Sequence, residues 1–258
     1  LHNLRWSRGE IYLNQDQCCS EMSTAVCLGG GEIGRQGIRC LLEEGARVLL
    51  VDPNENCLAR SLCQGTVDTP DQVLDHEDGK ALYLKGDGSD VLADIMLRWI
   101  PDEVIPAAPG HLAAHLAMAW SSKRYRNLHP FGGPLLRAVD VLPTGTVQFI
   151  DSVNGIMMAS HMPSGTGCQE DCEQPSICPV TGKGPLTPMN KLIERALAET
   201  VDRYSILVTH GRKVGKIRGD TIKDMLEVID RAGEGAIIGI ATSCRCHAIA
   251  NIFRCDGP

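Results

Sequence analysis

A cluster of glycines set directly between a short apolar strand and an apolar-periodic helix leaves a chain few folds to choose from. Thr24 to Leu28 runs straight into Gly29-Gly30-Gly31-Glu32-Ile33-Gly34, and Ile38, Leu41 and Leu42 follow at helical spacing. Gly45 closes that helix, and Val48-Leu49-Leu50-Val51 then reads as a buried strand ending in Asp52. Strand, helix and strand within about 30 residues make a βαβ unit, and such units pair their strands in parallel.

The same spacing has a chemical reading. Where a strand turns at once into a helix against a diphosphate, Gly29 supplies the tight turn, Gly31 lets the backbone approach the phosphates, and Gly34 packs helix on strand. The amides that open the helix, at Glu32, Ile33 and Gly34, then face the anion together with the positive end of the helix dipole. Asp52 lies 23 residues after Gly29, where a carboxylate accepts hydrogen bonds from both hydroxyls of an adenosine ribose. A 2′-phosphate would meet that charge, so NAD is favoured over NADP. The plainer alternative is a glycine-rich turn that holds no ligand.

Further along, Ala81 to Leu84 reads as a third strand, Gly86-Asp87-Gly88-Ser89-Asp90 as the turn into a helix capped by Ser89 or Asp90, and Glu103 to Pro106 as a fourth strand. Pro109 to Trp120 is helical, with proline near its start. Val147 to Val153 and Gly155 to His161 are strand candidates whose Asn154-Gly155 junction also suits a hairpin. The expected fold is α/β, a doubly wound, mostly parallel, Rossmann-like sheet with a long cysteine-rich loop and a C-terminal βαβ segment. Residues 1–21 mix charge and amide before Met22 and read as an N-terminal appendage. Residues 22–150 form the dinucleotide-binding domain, and 151–258 the C-terminal segment, which is a candidate to continue the same sheet.

Gly29 to Asp52, with Gly86-Asp87-Gly88-Ser89-Asp90, resembles the NAD-binding domain of the potassium-uptake (Trk-type) regulators, and less closely the dehydrogenase domain of siroheme synthases. The likeness spans about Met22 to Trp120. It implies a bound NAD and a position near the adenine for Asp87.

His111 lies just past the fourth strand, at the edge where open α/β sheets bind ligands, so it is the candidate catalytic group toward nicotinamide or substrate. His111 and His115 are spaced i, i+4 on one helix face, but His111-Leu112-Ala113-Ala114-His115 lacks the Glu of a zinc protease. For His115 a packing role is the expectation.

Periodicity stops from Met162 to Pro188, a stretch with five prolines, four glycines and three cysteines. A loop that long in a compact protein is functional or tied down by something other than packing. Cys168, Cys172 and Cys178 fall within eleven residues, and Cys244-Arg245-Cys246-His247 follows the Ala236 to Ala241 strand, expected at the same sheet edge as the glycine turn. Cys168, Cys172, Cys178, Cys244 and Cys246 are therefore candidate ligands for zinc or an iron–sulfur cluster. A disulfide, buried unligated thiols and a redox-active Cys244/Cys246 dithiol compete, and Arg245 with a following helix end would favour reactivity there. Cys27, Cys40 and Cys57 sit on apolar faces as small hydrophobes. The basic loop Gly211 to Gly219 lacks the ending of a P-loop and reads as a solvated turn, with a phosphate clamp as the alternative.

Composition narrows the function. A net charge of −7 with ten aromatic residues argues against nucleic acid as a partner. The most apolar window, Val104 to Trp120, is broken by Pro106, Pro109, His111 and His115, so no membrane insertion and a cytoplasmic location are expected. Two readings stand: an NAD-binding redox protein, an oxidoreductase with its metal or cluster near the nicotinamide end, or a non-catalytic nucleotide sensor with a structural zinc. A homodimer, and a small-molecule substrate or redox partner, accompany the first.

Overall fold

The computed structural model describes residues 23–166, 172, 175–184, 186–211 and 213–257. The N-terminal appendage and Cys168 lie outside them. The chain is α/β, with two mixed sheets and six helices among the described residues.

The first sheet begins with β1 (Thr24–Leu28), followed by α1 (Glu32–Glu43) and β2 (Arg47–Asp52). A short 3-10 turn, Leu58–Leu62, and the two-residue β3 (Gly65–Thr66) lead to β4 (Ala81–Lys85), α2 (Gly88–Met96) and β5 (Glu103–Pro106). β2 and β5 flank β1 on either side, both in parallel, and β4 lies beside β2. From β1 the chain thus builds outward through β2 and β4, then returns to lay β5 on the opposite flank. Alternating strand residues divide between two cores. Ala25, Cys27, Val48, Leu50 and Tyr83 pack under Ile38 and Leu41 of α1, whereas Val26, Leu28, Leu49, Val51 and Val104 face the opposite way.

The rest of the chain builds a second sheet instead of extending the first. After α3 (Leu112–Lys123) come β6 (Asn127–Pro130), α4 (Leu135–Val141), the antiparallel hairpin β7 (Val147–Asp151) and β8 (Ile156–Ser160), and α5 (Met189–Ala198). β9 (Arg203–Val208) then crosses to the first sheet through β10 (Ile217–Arg218), which pairs with β5, before α6 (Gly219–Asp230), β11 (Ile237–Ser243) and β12 (His247–Asp256) return. The order is β7-β8-β12-β11-β9, with β6 also on β12; only β9 and β11 run parallel. The basic loop is thereby fastened down. Its Ile217 is buried, Lys216 pairs with Glu44 at 2.7 Å, and Arg218 pairs with Asp220.

One apolar core runs from the first sheet through α2, α3 and α6 into the second, joining Leu28, Leu92, Leu116, Trp120, Leu226, Ile240 and Phe253. α4 and α5 cover the far side of the second sheet through Leu135, Met189, Ile193 and Leu197. No helix among the described residues is long and apolar enough to cross a membrane.

Candidate functional site

β1, β2, β4 and β5 all end at one edge of the first sheet, so Gly29, Asp52, Asp87 and the Ala107 to His111 loop gather there. Gly29 has a φ of +104°, and a Cβ on it would lie 2.7 Å from the backbone of Ala107 and Ala108. A side chain on Gly34 would collide with the carbonyl oxygen of Gly29, and one on Gly30 with the Cys57 sulfur. Gly31 differs: nothing lies within 4 Å of where its Cβ would stand. Three glycines are thus required by the protein's own packing, and the fourth borders open space.

Gly31 is also the N-cap of α1, and no side chain caps that helix. α2 makes the contrast, since Asp87 accepts hydrogen bonds from the N–H groups of Ser89 and Asp90 at 2.9 and 3.2 Å. Asp87, expected near an adenine, is therefore the cap of α2, and neither Ser89 nor Asp90 fills that position. Glu32 sits at the first turn of α1, yet its carboxylate is turned onto Arg35 at 2.8 Å and Gln36 at 3.2 Å. Those bonds, Arg35 first, hold its carboxyl below the usual range. Ile33 leaves its apolar side chain 58% exposed beside the turn.

Asp52 braces the turn from below. Its Oδ2 accepts the Gly30 N–H at 2.6 Å and its Oδ1 the Asn54 N–H at 2.7 Å, while the Tyr83 hydroxyl donates to its backbone carbonyl at 2.7 Å. Gly29 N–H bonds Val51 and Ala59 N–H bonds Gly30, so the turn is held on both sides. The thiols beneath it are inert: burial pushes Cys27 far up and Cys63 up to about 11.

His111 caps α3 without a side-chain cap bond and is buried, with Nδ1 2.8 Å from Asn251 Oδ1 and Nε2 2.9 Å from Thr242 Oγ1. Burial, the larger effect, lowers its pKa to about 4, so the ring is neutral. Both ring nitrogens are engaged by the second sheet. Its partners lie 140 and 131 residues away and carried no local signal. His115, expected to pack, is exposed instead, its ring against Gly110.

The second cluster of interest is on the other sheet. Cys244 to His247 form the turn between antiparallel β11 and β12, which corrects two expectations: the turn does not share an edge with the glycines, and a strand follows it, not a helix. The hydrophobic pattern of Ala236 to Ala241 gave the strand but not the sheet it joins. Cys244 Sγ lies 3.4 Å from the Cys246 N–H, 3.3 Å from the His247 N–H and 3.5 Å from His247 Nδ1. Burial opposes ionisation of Cys244, but those three groups outweigh it and lower the thiol pKa; the same thiol raises that of His247. Cys178 is lowered as well, chiefly by the Thr181 hydroxyl and then by the N–H groups of Thr181 and Val180. A cavity of about 20 Å³ separates Cys178 from Cys246, bordered by His161, Met162 and Arg245. Cys172 is half-buried. Among the described residues, no three His, Cys, Asp or Glu side chains already converge as a metal-binding group.

No curated protein and no solved structure matches this chain. The family AF_1314_N, described as an uncharacterized protein's N-terminal domain, matches residues 24–112, which ends where the first sheet hands over to α3. Its companion AF_1314_C, described as an uncharacterized protein's C-terminal domain, matches residues 114–256, more than half of the chain, and the protein belongs to that family.

Proposed function

We propose that the chain binds an NAD-type adenine dinucleotide at the carboxyl edge of its first sheet, a Rossmann-like doubly wound arrangement, and acts as a nucleotide-responsive binding module. The observation that carries this reading is the asymmetry of the glycine turn. Gly29, Gly30 and Gly34 are demanded by protein contacts, but Gly31 faces open space beside a helix end that no side chain caps. A diphosphate laid there meets unpartnered amides and the positive helix end. The strand order supports the same position, since successive parallel strands are added on one side of β1 and then, at β5, on the other, and ligands of open α/β sheets bind at such a switch.

Asp52 is at the end of β2 with lone pairs to spare after its two backbone bonds, which suits ribose hydroxyls and disfavours a 2′-phosphate. The resemblance to the potassium-uptake regulators agrees with this ligand. Binding is favoured over hydride transfer because His111, the candidate acid–base group, is neutral with both nitrogens engaged, and because the thiol cluster belongs to the second sheet.

Calorimetry of the full chain with NAD, NADH, NADP and ATP tests the proposal. One NAD or NADH per chain is expected, with NADP weaker, and Gly31→Val should abolish the heat without changing the melting temperature. Absence of heat with all four nucleotides would overturn it.

A further inference from the structure

At the far end of α1 from Gly31, the loop between β9 and β10 closes against the helix and leaves a cleft of about 480 Å³. Pockets that hold small molecules run from about 300 to 1,000 Å³. Its floor is apolar, made by Ile105 of β5, Val214 of the loop and Gly37 of α1. None of the residues around it belongs to the nucleotide site.

Both walls are fixed by the protein's own bonds. His210 and Lys216 exchange backbone hydrogen bonds at 2.9 and 2.7 Å, which closes the loop as an antiparallel bridge. Lys216 Nζ then reaches the two Glu44 oxygens at 3.0 and 2.7 Å and ties the loop to the end of α1. His210 Nε2 lies 3.1 Å from Glu103 Oε1 and ties it to β5. A cleft held this way has little left to order when a ligand enters.

The charges that these bonds leave over point to a ligand. Glu103 shares a strand face with Ile105, two residues on, and its Oε2 is buried with no hydrogen-bond partner among the described residues. A buried acceptor without a donor is costly, and a carboxylate more so. Glu43 adds a second carboxylate where α1 borders the cleft, and Lys213 stands exposed on the loop side. Neither makes an ion pair among the described residues. The helix and strand thus present unanswered negative charge, the loop presents unanswered positive charge, and an apolar floor lies between them.

We propose that this cleft binds a free amino acid with an apolar side chain. Its ammonium group, with three hydrogens to donate, answers Glu103 Oε2 and Glu43. Its carboxylate meets the Lys213 ammonium in a charge-assisted bond. The side chain covers Ile105 and Val214. A plain amine would leave Lys213 unanswered and a plain acid would leave Glu103 so, which selects the zwitterion over either half.

The test is calorimetry of the full chain with L-leucine and L-phenylalanine, each beside its decarboxylated amine and its deaminated acid. One amino acid per chain is expected, with the matching amine and acid about tenfold weaker or worse, the scale of one charged hydrogen bond. Glu103→Gln and Lys213→Ala should each weaken binding by about tenfold for the same reason. Cys40 also lines the cleft, so the amino acid at ten times its Kd should slow alkylation of Cys40 by iodoacetamide about tenfold, read by peptide mass spectrometry. Failure of both amino acids to bind would overturn the proposal, as would an amine or acid that binds as tightly as its amino acid, or binding that leaves Cys40 unprotected. Should Glu103→Gln fail to fold, Lys213→Ala on the exposed rim and Cys40 protection in the wild-type protein decide.

Discussion

His111 Nδ1 stands 2.8 Å from Asn251 Oδ1, so the residue that ends the β5 loop of the first sheet is fixed to β12 of the second. Nδ1 faces a carbonyl oxygen and must carry the proton; Nε2 then accepts from the Thr242 hydroxyl at 2.9 Å. An imidazolium could keep both contacts by donating Nε2–H to the hydroxyl oxygen, so it is burial, not the bonding pattern, that holds the ring neutral.

The pH dependence of stability follows from that burial. Burial lowers the folded pKa of His111 from 6.5 to about 4, so the unfolded chain takes up the proton first. The contribution is intact above pH 6.5 and is lost as pH falls toward 4, amounting to about 3 kcal/mol. Urea unfolding at pH 7.5 and 4.5 should show the wild type losing about 2 to 3 kcal/mol more than His111→Gln over that interval. Equal losses in the two proteins would refute a buried neutral imidazole.

Substitutions at the glycine turn should separate folding from binding. Gly34→Ala drives a methyl into the Gly29 carbonyl, backbone that has no room to retreat, and should cost about 3 kcal/mol. Gly31→Ala enters open space at a φ of −71°, so its stability should stay within about 0.5 kcal/mol of wild type. The check is a pair of denaturation midpoints; similar losses at the two positions would contradict the observed packing.

Asp52 has two roles that one substitution can divide. Asp52→Asn keeps one oxygen for the Gly30 or Asn54 N–H but removes the charge, so the fold should survive with a loss near 1 kcal/mol. The preference for NAD over NADP should fall by about tenfold, equivalent to about 1.4 kcal/mol. Competition binding measures this ratio directly, and an unchanged ratio would remove Asp52 from ribose recognition.

The first sheet was legible because its signals are local. Thr24 to Leu28, the glycines and Val48 to Asp52 each declare themselves within a few residues, and their parallel pairing follows from the short crossover. The second sheet was not, because its pairings are antiparallel and long-range. Ala248 and Ala159 pair across 89 positions, and nothing in either segment names the other. β6, at Asn127–Pro130, contains one buried residue, Leu128, too few to set a period. β10 hid in the basic loop for the same reason, with only Ile217 as an apolar anchor. The cysteines were visible as chemistry, but that Cys178 and Cys246 border one cavity depends on the β11–β12 hairpin, which spacing does not reveal. The cap of α2 was misplaced by two or three residues, onto Ser89 or Asp90, because Asp87, Ser89 and Asp90 are all capping residue types within one turn.

The join between the layers offers a last test at Arg126. Its guanidinium reaches the end of α6, donating to the carbonyls of Ile229 and Asp230 at 3.2 Å each and to that of Ala232, and it lies 2.9 Å from Cys255 Sγ. The Asp230 carbonyl is one that a helix end leaves over, the Ile229 carbonyl is shared with the Ala232 N–H, and a cation there also meets the negative end of the dipole. Trp120 Nε1 bonds Asp230 at 2.9 Å nearby, so the same corner ties α3 to α6. Arg126→Ala should therefore lower unfolding free energy by about 2 to 3 kcal/mol, the scale of charged hydrogen bonds lost at a partly buried site. Arg126→Lys should recover only part, since one ammonium cannot span three carbonyls. Guanidinium unfolding with an unchanged slope reads both values, and an alanine variant as stable as wild type would mean that solvent already satisfies this helix end.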